Sequence, residues 1–248
     1  MVSRLADDNL QAITFEHLRW PGEHHTAERT LKRVFDIAVA IAVLLLTGPI
    51  LAVAALAVRL TSPGPALFRQ KRIGQFGREF VLLKFRTMTV NGDSDTKWSV
   101  ADDDRVTPVG RFLRRCCIDE LPQIFNVIRG DMTLVGPRPE RPYFHAHFSA
   151  TVPDYVDRVR APMGVTGWAQ VHGLRGDTSI AKRTSFDNFY IEHWSLWLDM
   201  EILARTTSAV VRWAVRPHAQ AAGDASFRVE STTGPELSVP VVPEGNQS

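Results

Sequence analysis

From Ile37 to Val58 the chain runs for 22 residues without a charged side chain. About 20 apolar residues in helical form cross the hydrocarbon of a bilayer. A soluble domain of this size rarely contains such a run, so a membrane segment is preferred to a buried core helix. The run begins too deep in the chain for an ordinary cleavable signal peptide, and no small-residue cleavage site follows it. Gly48-Pro49 stands at its centre. Proline removes a backbone donor and clashes with the preceding turn, so a kink or break is expected there. About a dozen residues on each side are too few to cross ~30 Å alone. Arg29, Lys32 and Arg33 precede the run, and Arg59, Arg69, Lys71 and Arg72 follow it. Both flanks therefore favour the cytoplasmic side under the positive-inside rule. A re-entrant helix-kink-helix over 31–60 satisfies both flanks, whereas a straight span satisfies one.

The rest of the charge is unevenly spread. The formal net charge of the 248 residues is +2. Residues 1–28 sum to −3 and residues 217–248 to −3, which leaves +8 on the middle of the chain. A basic body between acidic ends suits an anionic partner such as a phosphate or a lipid surface. Residues 1–30 read as a polar N-terminal segment, 61–215 as a cytoplasmic catalytic domain and 216–248 as a disordered tail. Cys116 and Cys117 are adjacent and match no zinc spacing. They suit a reducing compartment.

The expected fold is α+β and mostly helical. Leu67 to Arg72 and Glu79 to Phe85 read as a β-hairpin around Gly74-Gln75-Phe76-Gly77. Its arginines and lysines, placed directly after the membrane segment, could meet anionic head groups at about 1 kcal/mol per charge. Val109 to Arg115 reads as a helix. Asp119-Glu120-Leu121-Pro122 reads as the start of another, with an acidic cap, an apolar face at Leu121, Ile124, Phe125 and Ile128, and Gly130 as the C-cap. The aromatic stretch 180–213 is expected to form amphipathic interfacial helices, since Trp and Tyr favour the membrane–water boundary.

Asp119-Glu120 is the strongest chemical feature. Most such pairs at helix starts are only caps. Here Arg114 lies about a turn upstream, Arg138 sits on the loop Val135-Gly136-Pro137-Arg138-Pro139, and Lys84 and Arg86 leave the hairpin. A carboxylate pair among fixed cations suits phosphoryl transfer, in which positioning and charge neutralisation supply most of the catalysis. An aspartate can attack phosphorus itself, and paired carboxylates can hold Mg²⁺.

The ordered motifs Lys32-Arg33-x-x-Asp36, Ser62-Pro63-Gly64-Pro65, Lys84-Phe85-Arg86-Thr87-Met88, Asp119-Glu120-Leu121-Pro122-Gln123, Gly130-Asp131-Met132, Val135-Gly136-Pro137-Arg138-Pro139 and Thr166-Gly167-Trp168-Ala169-Gln170 resemble those of bacterial sugar transferases. These are the monotopic polyprenyl-phosphate phosphoglycosyl transferases, and the resemblance covers about residues 29–213. It implies transfer of a hexose 1-phosphate from a UDP-sugar to polyprenyl (undecaprenyl) phosphate. Polyprenyl diphosphate hexose and UMP would result, at the cytoplasmic face of the bacterial inner membrane, as the first step of exopolysaccharide or related glycan assembly. By the same resemblance Asp119 is the nucleophile of a covalent aspartyl-phosphosugar, and Glu120 is its partner in Mg²⁺ or proton handling. Lys84, Arg86, Arg114 and Arg138 would bind substrate, and Gly48 and Pro49 would form the membrane kink. Arg175-Gly176-Asp177-Thr178 resembles the exopolysaccharide-initiating branch. The implied partners are a UDP-sugar, polyprenyl phosphate and membrane lipid, and a homodimer is allowed. Gly48 replaces the serine frequent before the membrane proline, and Cys117 replaces a common serine. Pro162-Met163-Gly164 and His172 also depart from the usual pattern, at positions that bear on acceptor or sugar preference. The competing reading is a non-catalytic, membrane-anchored module that holds anionic lipid. Nucleic acid is not an expected partner, because a membrane segment is present and no recognition motif is.

Overall fold

In the computed structural model, residues 26–89, 105–176 and 178–215 are described. The polar N-terminal segment, apart from 26–30, and the expected disordered tail lie outside them. The apolar run lies within helix α1, Thr26–Thr61, which continues through Pro49 unbroken. A hydroxyl stands two residues before the proline, where Thr47 Oγ1 donates to Val43 O at 2.7 Å. The helix is long and apolar enough to cross a membrane. Leu45, Leu46, Ile50, Val53, Leu56 and Leu60 are exposed, Leu46 to 84%. Its buried positions are Lys32, Asp36 and Ala40 before the proline, and Ala54 and Val58 after it. Steps of four residues place each set on one helical face. The first arm joins the main core with Ile124, Val127, Leu134, Tyr190 and Ile202. The second packs with Phe85 and Leu113. Both arms thus rest on the same globular body.

The hairpin forms as the sequence predicts. Strands β1, Leu67–Ile73, and β2, Glu79–Phe85, pair antiparallel from Leu67 opposite Phe85 to Ile73 opposite Glu79. A short 3₁₀ turn at Gln75–Gly77 closes it, with Phe76 at φ 55° and Gly77 at φ 73°. Its basic residues are not one solvated face. Lys71 is exposed and pairs with Glu79 at 2.9 Å, whereas Arg86 is buried.

Helix α2, Pro108–Arg115, starts at Thr107, whose hydroxyl accepts from Gly110 N at 2.9 Å. Proline fits this first turn because its missing N–H would have no partner there anyway. Gly110 permits a close approach: a Cβ there would stand 2.1 Å from Thr87 O. Cys117, at φ 55°, then reverses the chain into a 3₁₀ turn at Ile118–Glu120. Helix α3 is Gln123–Arg129 and ends at Gly130, φ 102°. The expected cap at Asp119-Glu120 is corrected here. The pair occupies its own turn before the helix, Pro122 holds the N-cap position, and neither carboxylate caps a backbone N–H. Phe125, placed on the apolar face by the sequence, is exposed, and Val127 is buried instead.

Asn126 docks α3 against the edge of β2. Its Oδ1 accepts from Leu83 N at 3.0 Å and its Nδ2 donates to Val81 O at 2.7 Å, as a neighbouring strand would. Strands β3, Thr133–Val135, and β4, Gly164–Thr166, form a short parallel pair that the sequence reading did not anticipate. Between them lie the Pro137-Arg138-Pro139 loop, helix α4, Pro142–Thr151, and a 3₁₀ turn at Val156–Arg160. Helices α5, Trp168–Val171, α6, Ile180–Glu192, and α7, Leu196–Val215, complete the described fold. The aromatic stretch is therefore two helices. Trp194 is half-buried against the core, and Trp197 is 80% exposed.

A buried polar cluster ties the first arm of α1 to helices α6 and α7. Lys32 Nζ contacts Asp199 Oδ2 at 2.6 Å and Asp36 Oδ2 at 3.5 Å. Tyr190 donates its hydroxyl to Asp199 Oδ1 at 2.7 Å, and Thr133 donates to Asp36. The first arm of α1 is held from a second side by Arg33, which donates to Val127 O at 2.6 Å and Ile128 O at 2.9 Å. These are end carbonyls of α3, where Val127 O also accepts from the cap Gly130 N at 3.1 Å.

Candidate active site

The site forms where the turn after α2, the end of β2 and the loop after β3 converge. Asp119 is 9% exposed, and its carboxylate has no hydrogen-bond or ion-pair partner among the described residues. Its neighbour Glu120 is gripped by Arg138, with Nη1 donating to Oε2 at 3.1 Å and Nη2 to Oε1. Proline on each side of Arg138 removes two backbone donors and fixes φ, so the loop has little freedom. Arg114 Nε donates to Thr87 Oγ1 at 2.8 Å, just past the end of β2. The close approach at Gly110 brings that partner within reach. Lys84 lies over the Phe68 ring at 5.2 Å.

The two carboxyls titrate far apart. Burial and the charge of Glu120 push Asp119 up to about 6, against the pull of Lys84, Arg114 and Arg138. Burial alone would raise Glu120 too, but the charge and hydrogen bonds of Arg138, aided by Lys84 and Arg175, hold it at about 2. Glu120 in turn raises Arg138. Burial, then the charge of Arg72, lowers Lys84 to about 8. Glu120 is thus held as an anion, and Asp119 is a largely buried carboxyl whose titration is shifted toward neutral pH.

Lys84, Arg114 and Arg138, expected at the site, are the cations that bear most on Asp119. Arg86 stands apart from this group. Its Nη2 donates to Ser62 O at 2.8 Å and Ser62 Oγ at 2.9 Å, at the exit of α1. Two further arginines belong to the surroundings. Arg175 donates from Nε to Gln170 O at 3.1 Å, and its charge reaches Glu120 and Cys117. Arg72 donates to Pro139 O at 3.1 Å and Glu140 Oε1 at 3.2 Å. The sequence had marked both only as motif or surface charges, because nothing local shows which basic residues turn inward.

Residues 27–213 match the family described as bacterial sugar transferase. This chain belongs to that family. Among relatives of this sugar transferase is the UDP-glucose:undecaprenyl-phosphate glucose-1-phosphate transferase of Caulobacter vibrioides. It is 49% identical over 185 residues, which are 73% of this chain and 69% of that protein. The Escherichia coli protein of the same name is 44% identical over 72% of this chain and 39% of its own. The undecaprenyl-phosphate galactose phosphotransferase of Salmonella typhimurium is 37% identical over 75% of this chain and 41% of its own. The sugar transferase thus spans well under half the length of the last two. All three relatives are transferases by name, which leaves the non-catalytic lipid-binding reading without support.

Proposed function

We propose that this sugar transferase moves a hexose 1-phosphate from a UDP-sugar to undecaprenyl phosphate by way of a covalent intermediate on Asp119. The carrying observation is Asp119 itself, an unpartnered carboxylate raised to about 6 beside a Glu120–Arg138 pair and among Lys84 and Arg114. A carboxylate oxygen of Asp119 attacks the sugar-linked phosphorus of the donor. The bond from that phosphorus to the bridging oxygen breaks, and UMP leaves with the electron pair. An oxygen of undecaprenyl phosphate then attacks the same phosphorus and releases the carboxylate, giving undecaprenyl diphosphate hexose. Lys84, Arg114 and Arg138 offset the charge that gathers on the phosphoryl oxygens in both steps. The relatives act, by name, on glucose and on galactose. The donor of this chain is accordingly assigned as a UDP-hexose.

The donor atoms fit Mg²⁺ only in its usual nucleotide-site form. Among the described residues no three acidic, histidine or cysteine side chains gather as a cage. Mg²⁺ commonly takes one or two carboxylates and completes its shell with water and substrate phosphates. Glu120, with Asp119, would hold it, and it would supply charge neutralisation of the diphosphate when bound.

The membrane segment is read as re-entrant. The contacts of both arms of α1 with one globular body support this, because a straight span would carry one arm to the far side. The exposed leucines between the arms then lie in lipid and the catalytic body at the cytoplasmic face of the inner membrane.

Asp119→Asn tests the reaction. The variant is expected to fold and bind membranes but to lose both nucleotide release and the covalent phosphosugar adduct seen by mass spectrometry. Full transfer by this variant overturns the assignment of the nucleophile.

A further inference from the structure

Behind the Pro137-Arg138-Pro139 loop lies an ion pair that the reaction does not use directly. Arg158, from the 3₁₀ turn after α4, contacts Asp187 of α6 through Nε at 2.8 Å and through Nη2 at 2.7 Å. Both side chains are buried, Arg158 to 5% exposure and Asp187 to 2%. The same Nη2 donates to Arg138 O at 3.0 Å. The Tyr155 ring lies 4.9 Å from the guanidinium carbon and limits its swing. On the other side of the loop, Arg72 holds the next carbonyl, Pro139 O. Two consecutive carbonyls are therefore pinned by separate arginines, Arg158 buried and Arg72 half-buried.

A buried ion pair is weak ground for stability, because desolvation offsets much of its attraction. The third contact is the informative one. A carbonyl between two prolines could be solvated at no cost in a surface loop. Here it takes a hydrogen bond from a charged, doubly anchored donor, and its own side chain grips Glu120.

We propose that Arg158, oriented by Asp187, is a positioning residue that aims the Arg138 guanidinium at Glu120 and at the donor diphosphate. This rests on the transferase reading above. Displacing the Arg138 carbonyl by a fraction of an ångström tilts the guanidinium away from both partners, and misplacement of that size is costly in an oriented site. The same cations serve both steps, but only the donor brings a diphosphate to the Arg138 fork, so the donor KM is expected to carry the effect.

The test uses the full chain in detergent with a UDP-hexose, undecaprenyl phosphate and Mg²⁺. Arg158→Lys keeps the charge but cannot hold Asp187 and the Arg138 carbonyl together. Asp187→Asn keeps the shape and weakens the anchor. Either variant is expected to raise the donor KM about tenfold and to leave the acceptor KM within about twofold. Thermal unfolding identifies which variant is folded, and that variant carries the test. Combined with Arg138→Lys, Arg158→Lys is expected to add no further loss, because it acts through Arg138. A purely structural role lowers the folded fraction, and with it kcat, at unchanged KM. That result, or equal losses in both backgrounds, overturns the proposal. A wild-type chain that releases no UMP from any UDP-hexose refutes the transferase reading instead, and binding of UDP to wild type and Arg158→Lys still reads the positioning role. Equal UDP affinity in the two refutes it, and about tenfold weaker binding by the variant supports it.

Discussion

Arg138 holds Glu120 through both terminal guanidinium nitrogens, Nη1 meeting Oε2 at 3.1 Å. The two residues are 18 positions apart, and the loop and turn that bear them meet only in the folded chain. A forked contact of this kind fixes direction as well as charge. It holds Glu120 as an anion and leaves Asp119 as the carboxylate without a partner among the described residues.

Lysine at position 138 keeps the charge but loses the fork. Arg138→Lys is expected to reduce kcat/KM for the UDP-hexose by about 10- to 100-fold. Steady-state release of UMP measures it. An unchanged value would remove Arg138 from donor binding.

The titration of Asp119 near 6 predicts the acid limb of the rate. On the proposed mechanism attack requires the carboxylate, so protonation below about pH 6 is expected to stop it. The rate is expected to fall about tenfold per pH unit below that point and to level off above it. Glu120, held at about 2, stays ionised throughout and adds no second limb. A profile flat from pH 7 to pH 4.5 would contradict Asp119 as the nucleophile.

His145 is expected to weaken the fold in acid. It is buried, and burial, with the charge of Arg158, lowers it from 6.5 to about 4. The unfolded chain therefore binds a proton near pH 6.5 that the folded chain refuses until about pH 4. Stability is fully present above 6.5 and is lost as pH falls through this window, by roughly 3 kcal/mol from this group. Urea unfolding in detergent at pH 7 and 4.5 tests this. His145→Gln should show a shallower loss, and an equal slope in both proteins would discard the assignment.

Lys32 sits between two buried carboxylates, Asp36 and Asp199. Lys32→Met leaves them without a cation and should cost about 3–5 kcal/mol. Adding Asp199→Leu should restore part of the loss. If the double variant is as unstable as the two single losses combined, the pair does not act as a unit.

Topology can be read with single cysteines at Ala27 and Thr61 after Cys116 and Cys117 are replaced by serine. Both positions should react with an impermeant thiol reagent only when the cytoplasmic side is open. Labelling of position 27 from the periplasm would overturn re-entry.

The amino-acid sequence alone determined the features that repeat locally or lie close together. The uncharged run with its central proline, the hairpin and Gly130 as a C-cap follow from neighbouring residues, and the family resemblance of short motifs singled out Asp119, Glu120, Lys84, Arg114 and Arg138. Tertiary structure decided the rest. Asp119 and Glu120 occupy a separate turn because Cys117 takes a left-handed conformation and Pro122 starts α3 afresh. Three-residue strands such as β3 and β4 are too short to alternate visibly. Asn126 replaces a missing strand neighbour from 43 and 45 positions away. Lys32 finds Asp199 across 167 positions, and Arg158 finds Asp187 across 29. Charged residues like these look alike in a sequence, whether solvated or buried. Burial makes an unpaired charge costly, and only the folded chain reveals which partner offsets that cost.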